Sequence, residues 1–143
     1  MSRVGRGPAL LCLFFFLLML GACGSTPSLG TAGTVTSVVC SRSYDPKKDN
    51  AIDVNSSFSQ SDRQIVLGVT LVGFSSGSRC QIVRYLNGKY LDHGSVSIKK
   101  PSLNTIFFLW RLTKPGVLHL PGPYKVKVFV NGRFAKEVDY TVG

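Results

Sequence analysis

From Thr34 to the C-terminus almost every apolar segment is short, rich in β-branched or aromatic residues, and bounded by Gly, Pro, Asn or Ser. No segment carries a sustained 3.6-residue apolar stripe. A chain so punctuated offers no amphipathic helix to pack, so its core must come from sheets laid face to face. The pattern predicts eight strands, near Thr34–Ser41, Ala51–Phe58, Gln64–Phe74, Arg79–Leu86, Lys89–Ile98, Thr105–Leu112, Tyr124–Val130 and Arg133–Val142. In the third, Ile65, Leu67, Val69 and Leu71 alternate onto one wholly apolar face that must point at the core.

Asn87-Gly88 and Asn131-Gly132 are hairpin signals, because Asn and Gly tolerate positive φ. At Asn131-Gly132 a two-residue loop with straight pairing would set Glu137 opposite Val126. A three-residue loop with Gly132 as the bulge sets Phe129 opposite Arg133, Val128 opposite Phe134, Lys125 opposite Glu137 and Tyr124 opposite Val138. The second register matches charge with charge and apolar with apolar, leaving Lys136 as a misfit whose stem must snorkel at an open edge. Ser43–Asn50 predicts a surface loop. Its Asp45 and Asp49, with Asp53 and Asn55 beyond, lack the glycine and distal glutamate of a calcium loop, so no metal site is expected.

Upstream, Arg3 and Arg6 precede an apolar run from Ala9 to Leu20 that is too short to span a bilayer, which takes about 20 apolar residues. It ends in Leu20-Gly21-Ala22-Cys23, which resembles the lipobox of bacterial lipoproteins. The resemblance implies a signal peptide over 1–22, a lipid carried on Cys23 as the first mature residue, and a membrane anchor. Gly24 stands where an Asp is the family's usual signal for inner-membrane retention, so the outer membrane is expected in a Gram-negative cell. Residues 23–33, small and polar, read as the lipidated cysteine and a flexible tether, and 34–143 as one folded domain.

An exported domain sits in an oxidising compartment, and Cys40 and Cys80 remain as an even pair once Cys12 leaves with the signal and Cys23 takes lipid. A disulfide between them is expected, closing a loop of about 40 residues, for which loop entropy gives roughly 4 kcal/mol. The precursor holds 17 Lys and Arg against 7 Asp and Glu, a formal net charge of +10, and loses Arg3 and Arg6 with the signal. Such a surface favours anionic partners. The positive residues are nonetheless scattered, with no run of five or six, and no nucleic-acid partner is expected.

Gly122, Tyr124, Val126, Gly132, Tyr140 and Val142 follow the Gly-x-Tyr-x-Val, hairpin glycine and final aromatic-x-Val pattern. This segment resembles the closing hairpin of bacterial immunoglobulin-like envelope domains. The resemblance implies an antiparallel β-sandwich of seven or eight strands and no particular ligand. Trp110 follows both cysteines, unlike the antibody arrangement, so the strands joined by the expected bridge stay open.

No Gly-x-Ser-x-Gly elbow, phosphate-binding glycine loop or His-Glu-x-x-His pair occurs, so neither enzyme activity nor a cofactor is expected. Interaction residues are easier to find. Ile106, Phe108, Trp110 and Leu112 share one face of their strand while Phe107 and Leu109 share the other. Phe129 sits with Lys125 and Lys127, opposite the core side of its strand. Phe107, Leu109, Phe129, Lys125 and Lys127 are therefore the candidate partner-binding residues, with Phe108 and Trp110 assigned to the core. The expectation is a lipid-anchored accessory or adaptor subunit that binds an envelope protein. The rival reading is a binder of anionic glycan or lipid through the basic surface.

Overall fold

The computed structural model describes residues 33–100 and 104–143, so the signal segment and Cys23 lie outside the described residues. The described residues form nine strands: β1 (Thr34–Asp45), β2 (Asn50–Val54), β3 (Ser57–Phe58), β4 (Gln64–Val72), β5 (Arg79–Leu86), β6 (Lys89–Ser97), β7 (Asn104–Arg111), β8 (Gly122–Val130) and β9 (Arg133–Val142). They build a four-stranded sheet, β2-β1-β4-β7, and a five-stranded sheet, β3-β9-β8-β5-β6. Every pairing is antiparallel except β3 with β9. The order β1-β4-β7 against β9-β8-β5-β6 is the Greek-key order of an immunoglobulin-like sandwich.

The predicted alternation of β4 holds: Ile65, Leu67, Val69 and Leu71 are buried, and across the interface so are Ile82, Tyr124, Val126, Val128, Val130 and Tyr140. Each buried aliphatic side chain contributes about 1.5–3 kcal/mol from surface removed from water. Tyr124 and Tyr140 stack at 4.7 Å, and Phe58 meets Tyr140 edge-on at 5.6 Å. The Tyr124 hydroxyl donates to the Leu120 carbonyl at 2.7 Å. That is the tyrosine corner of immunoglobulin-like sandwiches, which ties the entry of β8 to the chain just before it.

Three sequence expectations need correction. Ala51–Phe58 is not one strand: β2 ends at Val54, Asp53 takes a positive φ of 57°, and the chain crosses to the other sheet, where Phe58 pairs with Val142. Asn55 Oδ1 accepts from the Ser56 and Ser57 amides and holds this crossing. The division raises the count among the described residues from eight to nine, and β1 runs on to Asp45, which shortens the predicted loop after Ser43.

The second correction is the β8–β9 register. Asn131 and Gly132 both take positive φ, 50° and 77°, so the loop has two residues and Val130 pairs with Arg133. Straight pairing would then oppose Glu137 to Val126, but the register shifts after Phe129↔Phe134, passing over Ala135. The shift restores Val126↔Val138 and Tyr124↔Tyr140 and sets Lys125 opposite Asp139. Hairpin β5–β6 repeats the device: Asn87 and Gly88 turn at φ 51° and 75°, Tyr85 pairs with Tyr90, and Leu91 is passed over before Arg84↔Asp92. Lys136 does reach an open edge, where its Nζ donates to the Thr36 carbonyl at 2.9 Å.

The third correction concerns the disulfide. Cys40 and Cys80 are free, buried thiols. Cys40 sits on β1 opposite Leu67 and Cys80 on β5 between Val96 and Val130, both within the core shared by the two sheets. Burial pushes Cys40 up to about 12 and Cys80 up to about 11, so both stay protonated at neutral pH.

Candidate functional site

The five candidate contact residues do not form one surface. Phe107 pairs with Gly68 and Leu109 with Val66 on the outer face of the four-stranded sheet. Phe129 pairs with Gln81 and Phe134, and Lys127 with Val83 and Glu137, on the outer face of the five-stranded sheet. The two sets lie on opposite sides of the sandwich because β7 and β8 belong to different sheets.

Phe107 is half-buried rather than free. Its ring lies tilted by 34° against Tyr44 at 4.7 Å, and a methyl added at Gly68 would lie 3.3 Å from it. The glycine leaves the space that the ring covers, so Phe107 shields the sheet locally. Trp110, expected in the core, is likewise only half-buried, and Phe108 alone of that pair is buried.

On the five-stranded sheet, the outer face of β8 and its neighbours is a continuous aromatic and basic surface. Phe129 meets Phe134 edge-on at 5.9 Å, and Phe134 is 57% exposed. The Lys127 ammonium lies 5.5 Å from the centre of the Tyr85 ring, an attraction between cation and π-face. Lys125 Nζ donates to Glu137 at 2.9 Å and lies 3.2 Å from Asp139. The bond to Glu137, then the one to Asp139, raises its pKa, so it stays charged, though such exposed pairs add little to stability. Beside them runs a groove of about 680 Å³, lined by Tyr85, Asn87, Pro123, Lys125, Lys127 and Asp139.

Phe134 was missed from the sequence because the register expected there pairs it with Val128, on the core side. With the observed shift it faces Phe129 and solvent. Arg84 was missed although alternation with Cys80 and Ile82 places it on the core face. It is 9% exposed, donates Nε to Asp92 Oδ1 at 2.9 Å and a second, terminal nitrogen to Asp92 Oδ2, and reaches the Tyr140 hydroxyl at 3.4 Å. The guanidinium lies 4.2 Å over the Trp110 ring. Burial works against its charge, but the bonds to Asp92 and Tyr140 outweigh that and raise its pKa.

Two of the acidic residues weighed as metal ligands serve the backbone or an ion pair. Asp45 Oδ1 accepts from the Lys47 and Lys48 amides, and Asp53 pairs with Arg42 at 3.1 Å. Among the described residues no three His, Cys, Asp or Glu side chains are grouped to hold a metal ion.

No known sequence family matches the chain, and no curated protein matches it either. Among solved structures, it is similar to an immunoglobulin-like protein from Pseudomonas aeruginosa, with a TM-score of 0.57 and 15% identity over 80% of this chain and 99% of that one. It also overlaps 30% of an alkylpurine DNA glycosylase from Pseudomonas fluorescens, covering 77% of this chain at 12% identity and a TM-score of 0.49. A CARDB domain from Pyrococcus furiosus, described in complex with di-metal ions, is similar at 16% identity, over 77% of this chain and 91% of that one, with a TM-score of 0.42. At these identities the first comparison shows a shared immunoglobulin-like fold.

Proposed function

We propose that the protein is a lipid-anchored, non-enzymatic accessory module of the bacterial envelope, which binds a partner protein on the outer face of its five-stranded sheet. The observation that carries this reading is the Phe129–Phe134 pair on the outer face of the sheet, with Phe134 exposed and Phe129 half-buried near Lys127 and Tyr85. Exposed aromatics ringed by charged groups have the composition of protein contact surfaces. The lipobox at Leu20–Cys23 supports the anchor.

The test is co-purification of the full lipoprotein in detergent, beside Phe134→Ser and Phe129→Ser, at low and moderate salt. A partner that is lost in both variants, yet kept by the wild type as salt rises, is the expected result. Capture that disappears with salt and ignores both substitutions would replace this reading with the anionic glycan or lipid one. In parallel, Cys23→Ser should abolish palmitate labelling and release the protein from the membrane fraction; label persisting in the variant would remove the anchor from the proposal.

A further inference from the structure

Among the described residues, the free edges of the two sheets are unequal. β2 has five residues, with Asp53 turned to positive φ, and β3 has two. The free stretch of β9 carries Arg133, Lys136, Glu137 and Asp139 and the shift at Ala135. Edge β6 carries Lys89, Asp92 and His93 and the shift at Leu91. Charges, bulges and short length are the features by which sheet edges resist adding a strand. β7 has none of them: it pairs with β4 over eight consecutive positions without a shift, and its one charge is the last residue, Arg111.

Two further observations say what would add there. The C-terminal end of β7 opens onto a recess of about 770 Å³, lined by Tyr44, Leu91, Leu109, Trp110, Leu118 and Leu120. Leu118 and Leu120 are 53% and 56% exposed, although their loop is fastened by His119, whose Nε2 donates to the Asp62 carbonyl and whose amide donates to Gln60. The recess is thus a standing surface beside the edge, apolar along Leu91, Leu109, Leu118 and Leu120 and polar at Arg84, Thr113 and His119. Secondly, the edge is flanked by cations: Arg63, Arg111 and Lys114 are exposed at one end, and Lys99 lies on the segment leading into the other. Among the described residues the ion pairs engage Arg42, Arg84 and Lys125, and none of these four.

We infer that the β7 edge receives an extended segment of a partner protein as an added strand, with apolar side chains in its middle and carboxylates at its ends. Backbone bonds would supply the pairing, Leu109, Trp110 and the recess would take alternate side chains, and the flanking cations would set the register. A second copy of this chain fits less well, since it would bring its own cationic flanks against these. The inference deepens the protein-binding reading but uses a surface separate from the Phe129 face.

The experiment uses the full chain in detergent and a labelled peptide of alternating valine and threonine with an aspartate pair at each end. Controls are the same peptide with lysine pairs, and a proline-broken version that cannot pair. Expected are binding of the aspartate peptide about tenfold or more tighter than the lysine peptide at low salt, no binding of the broken peptide, and slowed amide exchange confined to Asn104–Arg111. The exposed pair Arg63→Glu with Arg111→Glu should keep the melting temperature and reverse the charge preference, whereas Phe134→Ser should leave peptide binding unchanged. No binding, protection appearing on β6 or on the β8–β9 face, or sedimentation showing that β7 pairs with a second copy would each overturn the inference. Failure of the Phe129 face in co-purification leaves these outcomes readable on their own.

Discussion

Arg84 and Asp92 should be unequal partners, and the inequality can be worked from their surroundings. The Arg84 side chain is 10% exposed and the Asp92 side chain 41%. Asp92→Ala strands a buried guanidinium with the Tyr140 hydroxyl and the Trp110 and Tyr124 rings as its remaining partners. Breaking a fully buried pair costs about 3–5 kcal/mol; with these partners retained and water already at the carboxylate, about 2–3 kcal/mol is expected. Arg84→Met removes the charge together with its desolvation, keeps most of the stem packing and lets Asp92 turn to water. What it forfeits is chiefly the cation–π contact and a long bond to Tyr140, about 1 kcal/mol net. Trp110 is the one tryptophan of the chain and lies under the guanidinium, so its fluorescence reports both the site and global unfolding. In urea the midpoint should fall by about 1–2 M for Asp92→Ala and by less than about 1 M for Arg84→Met. If Arg84→Met is equally or more damaging, the reasoning from desolvation is refuted.

Two further predictions rest on single groups. Cys40 and Cys80 should resist iodoacetamide in the folded protein and react fully in denaturant; because their pKa values rise from 9.0 to about 12 and about 11 on folding, the folded state holds more protons above pH 9. Their contribution is therefore complete below pH 9 and lost as pH climbs towards 11–12, and urea midpoints that rise over that range would contradict it. Tyr124→Phe removes the 2.7 Å bond to Leu120 and should cost about 1 kcal/mol while speeding amide exchange in residues 112–121; unchanged exchange there would show that the corner does not hold the loop.

Face assignment was legible wherever strand parity ran undisturbed. Ile65 to Leu71 declared the core of β4 by alternation, and Tyr124, Val126 and Val128 did so for β8, with every one of them buried as read. The immunoglobulin-like sandwich was implied by the resemblance of the closing hairpin, and Asn-Gly at 87–88 and 131–132 marked two of its hairpins. Where the chain changes sheets, local pattern was insufficient. Asp53, Val54 and Asn55 read as the middle of a strand, and only the need of Phe58 to reach Tyr140 and Val142 splits it. The cysteines failed for a different reason: compartment and even number say that two thiols can pair, whereas the fold holds both as free thiols buried among core side chains.

The contact face turned on one inserted residue. Side-chain direction in a strand has period two, so passing over a single residue reverses the face of everything beyond it. Placing the extra residue at Gly132 makes Phe134 a core residue opposite Val128; placing it at Ala135 turns the same ring outward against Phe129, while the buried pairs Val126↔Val138 and Tyr124↔Tyr140 stay matched. Both positions satisfy the charges, because Lys125 reaches Glu137 and Asp139 alike. The turn decides between them: Asn131 and Gly132 together at positive φ close a two-residue loop whose twist matches that of the strands, and the extra residue is displaced to Ala135. The same displacement recurs at Leu91 in β6, one strand after the other Asn-Gly turn. There the core face demands that Asp92 meet Arg84, just as in β9 it demands that Val138 meet Val126. In both hairpins the turn fixes one end of the ladder and the core fixes the other, and the bulge is where the two requirements are reconciled.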